Sequence, residues 1–284
     1  MSTETILKRA QLVDPKDLET TPSTLYHEHS KQGEYRVTFQ EQDPKKTPKA
    51  IEVLSALEGH SRSYAYRPGY ELDETDWAAL ATPLGELLRT RRSRRQLVDR
   101  AIDLSTLALL MNAAAGKNGE LRRKDGSAIS VRTHPSGGAL FPLEIYPIVL
   151  TGGKDVLPGV YHFDVAPAKL SRLAEGSLRS EARVACMNDG LLDKAAVLIA
   201  ITGVFPRMRF KYSERGYRHV LLEAGHVGQN LILVGNALGL SVVPLSAFID
   251  RRLEALLDVD GVEESIVHAA VVGYLEEPVN RGTP

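Results

Sequence analysis

The stretch "AAVLIAITG", residues 195–203, is a continuous run of apolar residues that ends at a glycine. Such a run predicts a strand covered on both faces, because a strand with one wet face would alternate polar and apolar residues. A helical segment at about 214–239 follows it, and "LSVVPLSAFID", residues 240–250, predicts another strand that runs into a loop. A long helix therefore lies between two predicted strands.

Strands and helices also alternate on both sides of this unit. Pro83 is expected to divide the segment 73–93 into two short helices, and a helix at 105–115 is predicted to start at the cap Ser105 and to end at Gly116. The dipeptide Asp125-Gly126 predicts a hairpin. Further strands are predicted at 143–151, 159–164 and 266–275, and a short helix at 252–258. The pattern indicates an α+β fold, a mixed sheet flanked by helices.

The composition is that of a globular protein with no strong overall field. Of 284 residues, 43% are hydrophobic and 25% charged, and the net charge is −1, which favours neither nucleic acid nor an acidic membrane as a partner. The single cysteine, Cys186, excludes an internal disulfide and fits a reducing cytoplasm. Neither a signal peptide nor a membrane span is predicted.

The chain divides into two predicted regions. Residues 1–70 are polar and rich in proline, and we interpret them as an N-terminal arm with little core of its own. Residues 71–284 form the predicted compact domain. Within the arm, His27 and His29 could face the same side of a strand, but no third ligand accompanies them, so no metal site is predicted.

Common site motifs are missing from the sequence. There is no G-x-G-x-x-G after a strand, no P-loop, no C-x-x-C, no H-E-x-x-H and no G-x-S-x-G. What remains is a set of separate clusters. The first, "RTRRSRR" at residues 89–95, holds five arginines and follows a helix. It is either a solvated helix end or nucleic-acid patch, or a binding site for one phosphate, to which arginine offers planar, permanently charged donors.

Two further clusters allow both a structural and a functional interpretation. "VRTHPSGGALFP", residues 131–142, is either a tight turn or a loop lying against a flat or phosphorylated ligand, since glycine permits close approach and positive φ. "RMRFKYSERGYRH", residues 207–219, places Lys211 beside Tyr212, either as a surface pair or as part of a site.

The long helix carries a fourth cluster. Gly225, Gly228 and Gly235 each weaken a helix by roughly 1 kcal/mol relative to alanine, so we expect a backbone or a flat ligand to pack against them. Apolar residues surround this helix instead of forming one stripe, which indicates a position in the core or in a subunit interface.

In this order the clusters resemble the nitroreductase-like flavoproteins, and within them the SagB/ThcOx-type azoline oxidases. "RRSRR" is similar to an Arg-x-Ser-x-Arg/Lys phosphate signature. "PSGGALFPLEIY" is similar to PSAGALYPLE, with Gly137 in place of alanine and Phe141 in place of tyrosine. "EAGHVGQN" and "VPLSAF" are similar to the subgroup's helix and flavin-side loop. The resemblance covers about residues 85–275, whereas residues 1–70 match only loosely.

The resemblance implies a homodimer that holds FMN at the subunit interface. It assigns the phosphate and ribityl chain to Arg91, Arg92, Ser93 and Arg95. It assigns one flavin face to Pro135, Ser136 and Gly137. A glycine is expected there because a side chain would collide with the ring. It also assigns backbone N–H groups near the flavin N5 to Ser246 and Ala247, with Gln229, Asn230 and Arg281 as weaker candidates.

In azoline oxidases of this type a Lys-Tyr pair is expected where Lys211 and Tyr212 stand. Converting a thiazoline or oxazoline to an azole removes a hydride, which FMN accepts, and a proton, which needs a base. Free Lys and Tyr titrate at about 10.4 and about 10, so one must be tuned toward neutrality by burial or by a close cation.

The resemblance therefore predicts FMN-dependent dehydrogenation of a ribosomal peptide or carrier-bound intermediate, with oxygen reoxidising the flavin and a cyclodehydratase as a partner. Two alternatives stay open: an NAD(P)H-dependent nitroreductase-like enzyme acting on small molecules, and a basic binding module that uses "RRSRR".

Overall fold

The computed structural model describes residues 22–31, 61–122, 126, 128–187 and 189–276. It confirms the α+β architecture. Its strands are β1 Gly69–Glu71, β2 Leu97–Val98, β3 Lys117–Arg122, β4 Ala128–Arg132, β5 Leu143–Val149, β6 Gly159–Asp164, β7 Lys169–Glu175, β8 Val197–Val204, β9 Leu240–Leu245 and β10 Glu264–Leu275. Its helices are α1 Pro22–His29, α2 Leu84–Thr90, α3 Leu104–Ala115, α4 Arg179–Cys186, α5 Asp189–Leu192, α6 Phe205–Tyr212, α7 Arg215–Ala237 and α8 Asp250–Leu257.

One sheet organises the described residues. Its strands follow the order β1-β7-β6-β5-β8-β10-β2, and β9 also pairs with β10. The named strands pair antiparallel, and the parallel component within the described ranges is a single bridge between Ile102 and Gly152. Strands β3 and β4 form a separate hairpin, as predicted, although Asp125 of its turn lies outside the described residues.

The two faces of the sheet carry two different sets of helices. On β8, Ile199 and Ile201 pack into the cluster that includes α3 and α7, while Leu198 and Ala200 pack into the cluster that includes α4 and α8. The strand is buried on both faces, which confirms the prediction from its apolar run. Helix α7 crosses the first face of the sheet.

The ends of the helices agree with the predicted breaks, with one correction. Pro83 separates a 3-10 turn at Trp77–Leu80 from α2. The cap of α3 is Asp103, not Ser105, because the Asp103 carboxylate accepts a hydrogen bond of 2.7 Å from the backbone N–H of Thr106.

Close contacts explain two of the three α7 glycines, although the atoms that contact them belong to side chains and not to the expected backbone or flat ligand. A Cβ on Gly228 would lie 2.8 Å from Nε2 of His268, and the side chain of Val242 presses on Gly235. At Gly225 no atom of the described residues lies within 4 Å, so they give that glycine no packing reason.

Part of the predicted N-terminal arm belongs to the compact body. Strand β1 pairs with β7 through residues on both sides of the predicted division at residue 70. The backbone N–H of Arg62 donates to Glu144 at 3.0 Å, and its guanidinium pairs with Glu264. Arg62 therefore joins the compact body although it is charged, because its guanidinium is paired with the buried carboxylate of Glu264. Over all the described residues, no helix is both long and apolar enough to span a bilayer.

Candidate active site

The glycine-rich loop between β4 and β5 has an unusual backbone. Gly138 has φ 65°, and two residues with side chains, Ala139 at φ 53° and Phe141 at φ 41°, also adopt the left-handed region. Ser136 Oγ accepts a hydrogen bond of 2.9 Å from the N–H of Phe141, and Arg207 donates to the Phe141 carbonyl at 3.1 Å. Left-handed residues with side chains cost of order 1–3 kcal/mol each and cluster at functional sites.

Helix α6 places Lys211 and Tyr212 against this loop. A Cβ on Gly138 would lie 2.5 Å from Nζ of Lys211 and 2.9 Å from the Tyr212 hydroxyl, and one on Gly137 would lie 3.3 Å from Met208. The Lys211 Nζ is 5.7 Å from the centroid of the Tyr212 ring. The structure thus brings together two clusters that are over seventy residues apart. The sequence analysis explained these glycines by a flavin ring alone. The structure shows that they also leave room for side chains of α6 within the same chain.

The pKa of Tyr212 moves away from neutrality. Burial raises it above its ordinary value of 10.0, whereas the sequence-based hypothesis considered a tyrosine lowered by a close cation. The Tyr212 ring lies 4.8 Å from the ring of His219, whose pKa is lowered by burial and by the nearby Arg215 charge. The lowered pKa favours the neutral form of His219, so this ring is a poor source of the cation that the hypothesis required.

A pocket of about 670 Å³ opens beside the loop and the lysine. We call it the loop pocket. Its apolar wall comes largely from the β3–β4 hairpin, and its charged groups are basic: no aspartate or glutamate is among its lining residues. These are Leu121, Ile129, Val131, Arg132, Thr133, His134, Pro135, Ser136, Gly138, Ala139, Phe141 and Lys211.

Buried ionisable residues, to which the sequence analysis gave no role, lie close to this pocket. His134 bonds Glu223 of α7 at 3.2 Å, and burial lowers its pKa in spite of that hydrogen bond. Arg207 pairs with Glu144 at 2.5 Å, and His162 bonds the other oxygen of Glu144 at 3.0 Å. Burial alone would raise the pKa of Glu144, but His162 and the nearby arginines overcome it and lower that pKa to about 2.

The arginine cluster lies at the other end of α7. Asn236 near the end of α7 donates to the Thr90 hydroxyl at 3.0 Å, and Ser241 donates to the Arg94 carbonyl at 2.6 Å. The guanidinium of Arg92 bonds backbone carbonyls of its own segment, and Arg95 bonds the Ser93 carbonyl at 3.3 Å. Among the described residues these arginines have no carboxylate partner, so their charges face no internal anion.

Ser246 and Ala247 form an exposed loop after β9. Their backbone N–H groups have no acceptor within the part of the chain that the structure describes. Strand β9 ends at Leu245, which pairs with Ala269 of β10, and runs toward the end of the sheet where Gly203 of β8 pairs with Leu143 of β5. The glycine loop precedes Leu143, so both loops lie at the same end of the sheet. Three strand spacings, about 14 Å, separate the two loops laterally.

The weaker candidates are placed differently. Gln229 is exposed on α7. Asn230 donates from its amide to the Ala114 carbonyl at 3.0 Å, which ties α7 to α3 and gives it a structural role. Arg281 lies outside the described residues.

The comparisons with known proteins identify the family. The nitroreductase family profile matches residues 88–274, about two thirds of the chain. The chain therefore belongs to the nitroreductase family, and this membership supports FMN as the cofactor.

Among its relatives is protein MJ1384 of Methanocaldococcus jannaschii, 30% identical over 179 residues that cover 62% of this chain and 84% of that protein. Another is the trifolitoxin-processing protein TfxB of Rhizobium leguminosarum bv. trifolii, 29% identical over 175 residues, 60% of this chain but only 47% of TfxB. A chain of the E. coli microcin synthetase McbBCD complex with truncated pro-MccB17 bound has the same fold, with a TM-score of 0.59, 22% identity and coverage of 96% and 98%.

Proposed function

We propose that this chain is an FMN-dependent oxidoreductase that converts an azoline ring to an azole in a peptide natural product. The observation that carries the proposal is the position of Lys211 and Tyr212 against Gly138. A base on a fixed helix beside a fixed loop, at the mouth of a pocket, is the arrangement that removal of a proton from ring carbon requires. The peptide-processing name of TfxB and the peptide-bound McbBCD complex agree with a peptide substrate.

The residues present fit FMN. The arginine cluster offers donors that face no internal carboxylate, which suits a phosphate. The unpaired amides of Ser246 and Ala247 suit the acceptor edge of a flavin. When bound, FMN accepts a hydride. We assign the phosphate to Arg91, Arg92, Ser93 and Arg95, and one ring face to the loop Pro135, Ser136 and Gly137.

We propose a homodimer, because the groups assigned to FMN are widely separated within one chain. Glu223, which contacts the loop side, and Asn236, which contacts the arginine side, are thirteen positions apart on α7, or about 20 Å. Two copies about a two-fold axis would bring the loop of one beside the arginines of the other. The exposed apolar side chains of α7 suit such an interface: Tyr217 is 36%, Leu221 41% and Leu222 57% exposed.

The chain's own residues would perform three tasks. Ser136 and Arg207 hold the loop that orients the ring. Lys211 or Tyr212 takes the proton from ring carbon. Because burial raises the pKa of Tyr212, we favour Lys211 as the proton acceptor and Tyr212 as its positioning neighbour. A cyclodehydratase is the partner that would supply an azoline.

The test compares variants of the pair with variants of exposed residues of the same type. Lys211→Ala and Tyr212→Phe should keep bound flavin and lose formation of the azole, detected by mass spectrometry as loss of two hydrogens from a thiazoline-containing peptide. Lys194→Ala and Tyr66→Phe, both at exposed positions, should keep turnover. Full turnover in both Lys211→Ala and Tyr212→Phe would remove the assignment.

The alternative is an NAD(P)H-dependent nitroreductase acting on small molecules, which the match to the family as a whole leaves open. It requires rapid reduction of the flavin by NADPH. Azole formation without any nicotinamide would favour the peptide oxidase, and flavin reduction by NADPH alone would favour the alternative.

A further inference from the structure

Arg132 is a buried cation with an unsatisfied donor. Its side chain is 7% exposed, its guanidinium carbon lies 4.7 Å from the centroid of the Phe141 ring, and its Nη2 has no hydrogen-bond partner. Burial lowers its pKa to about 10, against the attraction of Glu144 and Glu223, so it keeps its charge at neutral pH. A buried charge that lacks a direct partner is costly, which indicates that another group completes it.

The carboxylates near Arg132 are already engaged by other groups. Glu144 is shared by Arg207 and His162, and Glu223 bonds His134. Within the described residues Arg132 forms no ion pair of its own, although it lines the loop pocket. Other atoms of Arg132 therefore border a space that a ligand can enter, while the unpaired Nη2 lies just behind that surface.

The loop pocket has the chemistry of a receptor for an amphipathic anion. Arg132 supplies positive charge, and none of the described residues that line the space is acidic. The hairpin also lines the space with apolar side chains: Ile129, Val131 and Leu121, which is 59% exposed. A guanidinium pairs bidentately with a carboxylate, and an apolar wall disfavours a fully hydrated phosphate.

We propose that the loop pocket is a carboxylate-recognition subsite in which Arg132 binds the carboxylate of a substrate whose adjoining apolar part lies on the β3–β4 hairpin. The inference rests on the proposed function, since it names the charged group that a substrate of that site carries: a peptide carboxylate close to an apolar residue. Arg132 is here a specificity residue, and Lys211 keeps its separate role beside Gly138.

The test measures binding, not turnover, on the flavin-loaded full chain. Benzoate, the isosteric neutral benzamide and inorganic phosphate are titrated by calorimetry into the wild type, Arg132→Met and the control Arg122→Met, an exposed arginine that does not line the pocket. We expect benzoate to bind at least tenfold more tightly than benzamide. Arg132→Met should lose that preference while keeping benzamide binding and flavin content, and Arg122→Met should match the wild type.

A purely structural role for Arg132 would instead lower the melting temperature of Arg132→Met. Methionine keeps much of the side-chain volume and removes an unsatisfied charge, so Arg132→Met should not lower the melting temperature if the arginine exists for a ligand. Equal binding of benzoate and benzamide, an unchanged preference in Arg132→Met, tighter binding of phosphate, or loss of flavin from Arg132→Met would each overturn the proposal.

Failure of the proposed function leaves a different signature. If the chain retains no flavin but binds benzoate in an Arg132-dependent manner, the oxidoreductase proposal fails and the subsite stands as a binding site. If flavin binds and azole forms but benzoate and benzamide bind equally, the subsite fails and the oxidase stands.

Discussion

Replacement of Gly138 by alanine separates backbone strain from loss of function. The new Cβ would lie 2.5 Å from Nζ of Lys211 and 2.9 Å from the Tyr212 hydroxyl, where 3.4 Å is the start of ordinary contact. The amine therefore has to withdraw by about 1 Å and the hydroxyl by about 0.5 Å. The amine withdraws at little cost in stability because the end of a lysine side chain is flexible. A misplacement of about 1 Å at a reacting group lowers the rate by up to about 100-fold. Alanine at φ 65° adds a backbone cost of about 1–2 kcal/mol.

The matched control is Gly239→Ala. Gly239 has φ 74°, and no atom lies within 4 Å of the position that a Cβ would take, so alanine there meets the backbone cost alone. Urea unfolding should show similar losses of stability in both variants, while azole formation falls strongly only in Gly138→Ala. Equal turnover in the two variants would refute the placement of Lys211 against the loop as a functional feature.

Three other predictions concern the cofactor, a helix cap and the buried charges. Arg91→Gln should weaken FMN binding by about 1.5–3 kcal/mol, measured by flavin fluorescence on dilution; unchanged affinity would contradict the phosphate assignment. Asp103→Ala should cost about 1 kcal/mol in urea unfolding and Ser105→Ala less, because Asp103 caps α3; the reverse order would restore Ser105 as the cap. Glu144 has a pKa of about 2 when folded and an ordinary value of 4.5, so its stabilisation is present above pH 4.5 and is lost as the pH falls toward 2. That difference is about 3 kcal/mol, and Glu144→Gln should therefore lose less stability than the wild type between pH 7 and pH 3.

Elements with a strong local pattern could be predicted from the sequence. The apolar run of β8 and the long helix α7 both appear where the pattern placed them, because burial on both faces leaves an unmistakable composition. Strand β7, "KLSRLAE", was not predicted, since only part of it is buried and its polar residues hide the alternation. The three residues of β1 are too few to show any period.

The site could be predicted only in fragments. The sequence marks the glycine loop and the Lys-Tyr pair separately, and only the antiparallel pairing of β5 with β8 brings Gly138 and Lys211 together. Arg132 lies in one of the clusters singled out from the sequence but received no role, because nothing in the sequence distinguishes a buried, unpaired arginine from an exposed one. Its neighbours Glu144 and Glu223 come from distant segments whose meeting depends on the whole fold.

The central claim is most directly tested by mixing the purified, flavin-loaded chain with a thiazoline-containing peptide in the absence of oxygen and of any nicotinamide. We expect the flavin absorbance of the wild type to bleach in a single turnover as azole forms, and Lys211→Ala to stay yellow while dithionite still bleaches it. A wild-type flavin that the peptide leaves oxidised but NADPH reduces at once would contradict the account.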